Sequence, residues 1–262
     1  LGHKRNDDDT WNYVVDPENK ICYVRLTQFA PNTYRDLSRV MTRLNKEAGI
    51  KGFILDLRFN PGGLLDSAVK ISDLYIDDGM IVSIRPRNGP ETSYVGHSLG
   101  SYTAFPMVCL VNGGSASASE IVAACLQDHG RAIVVGSRSY GKGSVQTINP
   151  FLTPGGPAQL KLTTAIYWRP SGRNINRAST FGKEEEEWGV IPNTGFALKL
   201  GIKELNDLSE FQRDNEIIHQ PGYQAPESKA VFKDRQLDMA VDYLRGQIKF
   251  ASKVNGGTKK AG

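Results

Sequence analysis

A run of small residues, Asn112-Gly113-Gly114-Ser115-Ala116-Ser117-Ala118-Ser119-Glu120, follows the apolar stretch Met107 to Val111. It carries three hydroxyls, on Ser115, Ser117 and Ser119. The apolar stretch reads as a buried strand and the segment from Ser117 to Asp128 as a helix, with glycines where the chain must turn between them. Amides in the first turn of a helix have no partner within it, and the helix dipole adds positive potential at the same place. A serine held there could attack a carbonyl while nearby amides hold the developing oxyanion. The same residues also fit a capping box, in which Ser117 accepts from the amide three residues on and Glu120 reaches back. Taken alone, they favour the cap.

Two further segments change the balance. In Ser139-Tyr140-Gly141-Lys142-Gly143-Ser144-Val145-Gln146, a lysine stands between two glycines, which let the backbone approach another segment closely. A lysine serves as a general base only where burial brings its pKa from ~10.4 to ~7–8. The plainer readings are a surface lysine in a glycine-rich turn or a phosphate-binding loop. The second fails because Gly143 stands where the nucleotide motif needs a hydroxyl. The other segment, Asp56-Leu57-Arg58-Phe59-Asn60-Pro61-Gly62-Gly63, is a tight turn whose glycine amides could supply a second oxyanion donor.

Other chemistries find little support. His3 and His97 lie in polar segments, His129 at a helix end and His219 in a polar linker, and none has a carboxylate at a suggestive position. Cys22, Cys109 and Cys125 are odd in number, sit among apolar residues and match no zinc spacing, so they read as packed free thiols. No metal and no cofactor are expected.

The elements that must position these residues alternate. Strands are expected over Ile21 to Phe29, Gly52 to Leu57, Met80 to Ile84, Met107 to Val111 and Ala132 to Gly136. Helical spacing covers Tyr34 to Leu44, capped by Asn32 and ended by Gly49, and Leu64 to Tyr75. This alternation predicts an α/β core with mainly parallel pairing. Residues 86–105 read as a polar excursion with a small hairpin, and 144–148 and 159–168 as further strands. Residues 1–19 read as a polar segment, 20–205 as the catalytic core, and 206–262 as a linker (to about 230) followed by an amphipathic helix. That helix, near Asp234 to Ala251, places Leu237, Ala240, Val241, Leu244 and Ile248 on one side. It packs on the core or pairs with a second subunit; core packing is the favoured reading.

With 262 residues, 39% hydrophobic and 23% charged, the chain can bury a large core without staples. The net charge of +4 is scattered, so no nucleic-acid surface is expected. No apolar run is long enough to span a membrane. A chain that begins at Leu1 is expected to be a processed or trimmed product.

Together, these motifs resemble the C-terminal processing peptidases, or tail-specific proteases. The matching text runs from Ile21-Cys22-Tyr23-Val24-Arg25-Leu26-Thr27-Gln28-Phe29 through the Asp56 to Gly63 turn, Val111 to Glu120 and Asp128-His129-Gly130-Arg131-Ala132 to Gly141-Lys142-Gly143-Ser144-Val145-Gln146. The resemblance covers about residues 20 to 200. It implies a crotonase-like α/β core and a serine endopeptidase using a Ser–Lys dyad. Ser117 would be the nucleophile, Lys142 the base and Gln146 the residue that orients the lysine. The amides of Ala118 and Gly63 would form the oxyanion hole. It also implies protein substrates with accessible C-terminal tails and a site of action outside the cytoplasm. Family members usually carry a PDZ domain before the core, and the segment before Ile21 is too short for one. Two rivals stay open: a module that binds peptide tails without cutting, and an acyl-CoA enzyme on the same fold. Retention of both Ser117 and Lys142 argues against each.

Overall fold

The computed structural model describes residues 1–6, 8, 10–183, 185–217 and 232–257. Its main sheet has five strands in the order β3-β4-β5-β8-β9. They are β3 (Val14–Asp16), β4 (Ile21–Arg25), β5 (Gly52–Asp56), β8 (Met107–Val111) and β9 (Ala132–Gly136). The pairs β4/β5, β5/β8 and β8/β9 are parallel, and only β3 runs the other way on β4. Every residue of β5 and β8 is buried, as expected for strands covered on both faces.

The pleat divides these strands between two cores. Cys22, Val24, Phe53, Leu55, Met107, Cys109 and Val134 point to one side. There they meet α1 (Thr33–Arg43), α2 (Leu65–Asp73) and α3 (Ala118–Asp128) through residues such as Leu37, Met41, Ala68, Ile71 and Val122. Ile21, Tyr23, Ile54, Val108, Leu110 and Val135 point to the other side, where α5 (Arg235–Gly257) covers them with Ala240 and Leu244. The amphipathic C-terminal helix therefore packs on the sheet. The three cysteines are buried free thiols.

A second, antiparallel sheet has the order β10-β11-β6-β7. It comprises β6 (Met80–Pro86), β7 (Thr92–Val95), β10 (Ser144–Thr153) and β11 (Gly156–Trp168). Its two longest strands form a hairpin that exceeds the expected 144–148 and 159–168. Pro150 falls inside β10, which is an edge strand, where a missing N–H is tolerated.

Other expectations also shift. Residues 1–19 are not all loop: β1 (Lys4–Arg5) pairs with β2 (Trp11–Asn12), and β3 follows. Asn32 stands at the α1 N-cap but makes no side-chain cap bond; Thr33 Oγ1 accepts from the Ala30 amide instead. A π-helical turn over Leu44–Ala48 extends α1, and Gly49, with φ of 58°, ends it. Residues 206–216, expected as linker, are helical within α4 (Ile202–Glu216). Only Leu208 and Gln212 of α4 are buried, too sparse a pattern to stand out in a polar sequence. The rest of that linker and His219 lie outside the described residues. Among those that are described, no helix is long and apolar enough to cross a membrane.

Candidate active site

The turn after β8 is sewn to the turn after β5. Asn112 Oδ1 accepts from the amides of Phe59 and Gly114, each at 2.9 Å. Ser115 Oγ donates to the Leu57 carbonyl at 2.7 Å, and Ser119 Oγ to the Asn60 carbonyl at 2.9 Å. The Ala116 amide also donates to the Asn60 carbonyl, at 3.0 Å. These bonds separate three hydroxyls that are alike in sequence. Ser115 and Ser119 are fully buried and committed to backbone carbonyls. Ser117 is only partly buried.

Ser117 stands at the N-cap of α3 with φ of 57° and ψ of −115°. A capping residue ordinarily has β-region angles, and a positive φ on a non-glycine residue stores strain at functional turns. Half of the expected capping box is formed, because the Ser117 amide donates to Glu120 Oε2 at 2.8 Å. The Glu120 amide, however, donates to the Ser117 backbone carbonyl at 2.9 Å.

The Asn60-Pro61-Gly62-Gly63 turn lies directly against this elbow. A Cβ on Gly62 would sit 2.8 Å from Ser117 Cβ and 2.6 Å from the Ala116 carbonyl oxygen, so only glycine fits. The Gly62 amide is taken by Asn60 Oδ1 at 2.9 Å. The amides of Gly63 and Ala118 have no acceptor among the described residues. These two amides are the ones that the family resemblance names as oxyanion donors.

Lys142 reaches the same place from the loop after β9. Its amide donates to Glu120 Oε2 at 2.8 Å, the oxygen that also accepts from Ser117. The two backbone nitrogens therefore lie within twice that length of each other. The glycines beside Lys142 permit this close packing. A Cβ on Gly143 would be 2.3 Å from the Asn176 nitrogen, and one on Gly141 would be 2.7 Å from Arg177 Cβ. Lys142 is half-buried. Gln146 lies exposed on β10, just past a register shift between Val145 and Gln146.

Two buried polar clusters flank the site, and sequence reasoning missed both in these roles. Glu120 is fully buried and accepts four hydrogen bonds, from Ser117 N, Lys142 N, Gly141 N (2.6 Å) and Ser139 Oγ (2.5 Å). Burial pushes its carboxyl above the ordinary glutamate range, against the pull of these bonds. The signal available in sequence was a glutamate followed by the unbroken apolar run Ile121 to Leu126, which a solvent-facing cap would not need. On the other side, Arg58 is 1% exposed and forks between Asp56 (2.7 Å) and Asp234 (2.7 Å). Tyr23 donates to Asp56 Oδ2 at 2.7 Å, and Arg58 Nη1 donates to Gln236 Oε1 at 3.1 Å. Burial would raise the Asp56 carboxyl, but the Arg58 charge and hydrogen bonds outweigh it and hold it below the usual range. No group of His, Cys, Asp and Glu among the described residues could hold a metal ion.

Of the described histidines, His129 Nε2 meets the Met80 carbonyl at 2.8 Å, His97 pairs with Asp73 on the surface, and His3 packs edge-on against Tyr23. A strand-to-helix elbow with a strained serine, idle amides and an adjoining lysine loop is an arrangement suited to acyl transfer. The sequence profile of peptidase family S41 matches residues 20–194, and the chain belongs to that family of serine-type peptidases. A carboxy-terminal-processing protease of Bartonella bacilliformis is 38% identical over 250 residues, covering 90% of this chain and 54% of that protein. CtpA, a carboxy-terminal processing protease of Bacillus subtilis, is 36% identical over 161 residues, covering 61% of this chain and 34% of that protein. Among solved structures, the photosystem II D1 C-terminal processing protease superposes with a TM-score of 0.59 at 32% identity, over 78% of this chain and 50% of that one. The chain thus spans about half or less of these relatives' length.

Proposed function

We propose that this chain is the catalytic portion of a carboxyl-terminal-processing endopeptidase with a crotonase-like core, using Ser117 as nucleophile and Lys142 as base. The observation that carries this reading is that one carboxylate oxygen, Glu120 Oε2, accepts from the backbone amides of both residues. Lys142 takes the Ser117 proton as Oγ adds to the scissile carbonyl carbon. The amides of Ala118 and Gly63 receive the oxyanion. The lysine then delivers its proton to the leaving amine as the C–N bond breaks, and water hydrolyses the resulting ester. Gln146 joins the lysine once the bulged start of β10 adjusts. Substrates are polypeptides with accessible C-terminal tails, and the protein works outside the cytoplasm, by analogy with its relatives; one of these, from Tetradesmus obliquus, is described as chloroplastic.

The test is turnover of an unfolded protein such as casein by Ser117→Ala and Lys142→Ala. Each is expected to lower kcat by more than about 10³-fold, the scale seen when a catalytic unit loses a member. Near wild-type turnover in either variant would sink the assignment, and a wild-type protein that binds such substrates without cutting would favour the binding-module reading.

A further inference from the structure

Glu120 gives the Ser117–Lys142 reading a part that neither the motif nor the family assignment supplies. Its side chain leaves α3 in the first turn and meets the loop after β9 end-on. Each carboxylate oxygen serves two donors. Oε1 takes Ser139 Oγ and Gly141 N; Oε2 takes Ser117 N and Lys142 N. Three of the four are backbone amides, which can only donate, and a carboxylate, which only accepts, suits them. The enclosure continues on the far side. Ser139 Oγ accepts from the Val190 amide at 2.7 Å, and a Cβ on Gly189 would lie 2.8 Å from that oxygen and 3.5 Å from Glu120 Oε1. Among these neighbours, the only other titratable side chain is Lys142. The carboxylate is held by three amides and one hydroxyl.

From this geometry we infer that Glu120 is a positioning residue: its carboxylate fixes the separation of nucleophile and base by holding both their backbones on one oxygen. The inference rests on the Ser117–Lys142 assignment. Ser117 comes from the β8–α3 turn and Lys142 from the loop after β9, so their spacing depends on how the two segments are joined. The Tyr140 amide joins them at a second point, the Ser115 carbonyl, at 2.9 Å. Only the Glu120 bond acts on the two reacting residues themselves. A displacement of about 1 Å between reacting groups lowers a rate by about 10²-fold.

The experiment compares Glu120→Asp with Ser139→Ala. Aspartate keeps the charge but withdraws the oxygens by one methylene, so both amides are no longer reached. Ser139→Ala removes a donor to Glu120 and leaves the two amides in place. Two rates are measured on each variant alongside thermal unfolding: casein turnover, and labelling of the serine by a fluorophosphonate, which reports nucleophile activation without a substrate site. Glu120→Asp is expected to lose about 10²-fold in kcat and a comparable factor in labelling, with KM unchanged. Ser139→Ala is expected to keep both rates within about threefold even where it melts at a lower temperature.

The proposal is overturned if Glu120→Asp keeps wild-type rates, or if Ser139→Ala falls as far as Glu120→Asp. Either result means that activity follows the integrity of the loop and not the shared oxygen. The unaltered protein gives a reading independent of folding. As the pH falls, the amide proton resonances of Ser117 and Lys142 should move with one common midpoint, that of Glu120; separate midpoints would also overturn it. Ser117→Ala, run beside these, separates the two levels: if it still turns over casein, the nucleophile assignment has failed rather than the clamp.

Discussion

The carboxylates on the two sides of the candidate site are buried by opposite means. Asp56 is neutralised by an arginine that it shares with Asp234, and Tyr23 adds a further donor. Glu120 is held by three amides and a hydroxyl. The first arrangement joins distant parts of the chain, since Arg58 and Asp234 belong to different ends of the fold. The second arranges a few ångströms of backbone around one atom. An ion pair fixes which segments meet, whereas a ring of amides fixes how closely they meet.

The comparison is broken most severely by removing the arginine. Arg58→Met leaves Asp56 and Asp234 facing each other in a buried site, and a loss of about 3–5 kcal/mol is expected in urea unfolding. A loss near zero would mean that water enters the cluster and that the pair does not hold α5 to the sheet. A smaller effect is expected for Tyr23→Phe, which removes one charge-assisted bond to Asp56 and should cost about 1.5–3 kcal/mol by the same measurement. Casein turnover should track the stability loss in both, unlike Glu120→Asp, whose rate should fall out of proportion to its melting point.

The finest distinction is one of sign with pH. The Asp56 carboxyl is lowered by folding, so its contribution is present above its unfolded value of 3.8 and is lost as the pH falls through the lower folded value. The Glu120 carboxyl is raised by folding, so the native state holds that proton longer. Stability should therefore decline as the pH rises from the unfolded value of 4.5 through the higher folded one. Stability curves measured for the wild type, Asp56→Asn and Glu120→Gln isolate each part. Asp56→Asn should lose the rise and Glu120→Gln the decline; slopes of the same sign would erase the contrast.

How much of this could be read beforehand follows from range along the chain. The apolar runs Gly52 to Leu57 and Met107 to Val111, the glycine-marked turns after them and the helix from Ser117 are local signals, and all lie where the pattern put them. The choice of Ser117 over Ser115 and Ser119, and of the Gly63 and Ala118 amides, comes from the family resemblance and not from the local pattern, because the hydrogen bonds that occupy the other two hydroxyls reach carbonyls more than fifty residues away. The Arg58–Asp234 pair has no local signal: an arginine in a turn and an aspartate before a helix are each ordinary surface residues until the fold buries them together. Glu120 was legible only as a cap, since its other partners, Ser139, Gly141 and Lys142, arrive from the loop after β9. The β10–β11 hairpin outran its expectation because Pro150 and the Pro154-Gly155-Gly156 turn hide a strand that only its position at a sheet edge allows.

The placement of α5 over one face of the parallel sheet sets an order for biosynthesis. A ribosome releases residues 21–136, all the strands of that sheet after β3, well before it reaches Ala240 and Leu244. Until then Ile54, Val108 and Leu110 lack the cover of Ala240 and Leu244, and Arg58 lacks one of its two carboxylates. The nascent chain thus emerges with its sheet half-clad, and the frame around the serine is completed by a helix made long after the strands it covers.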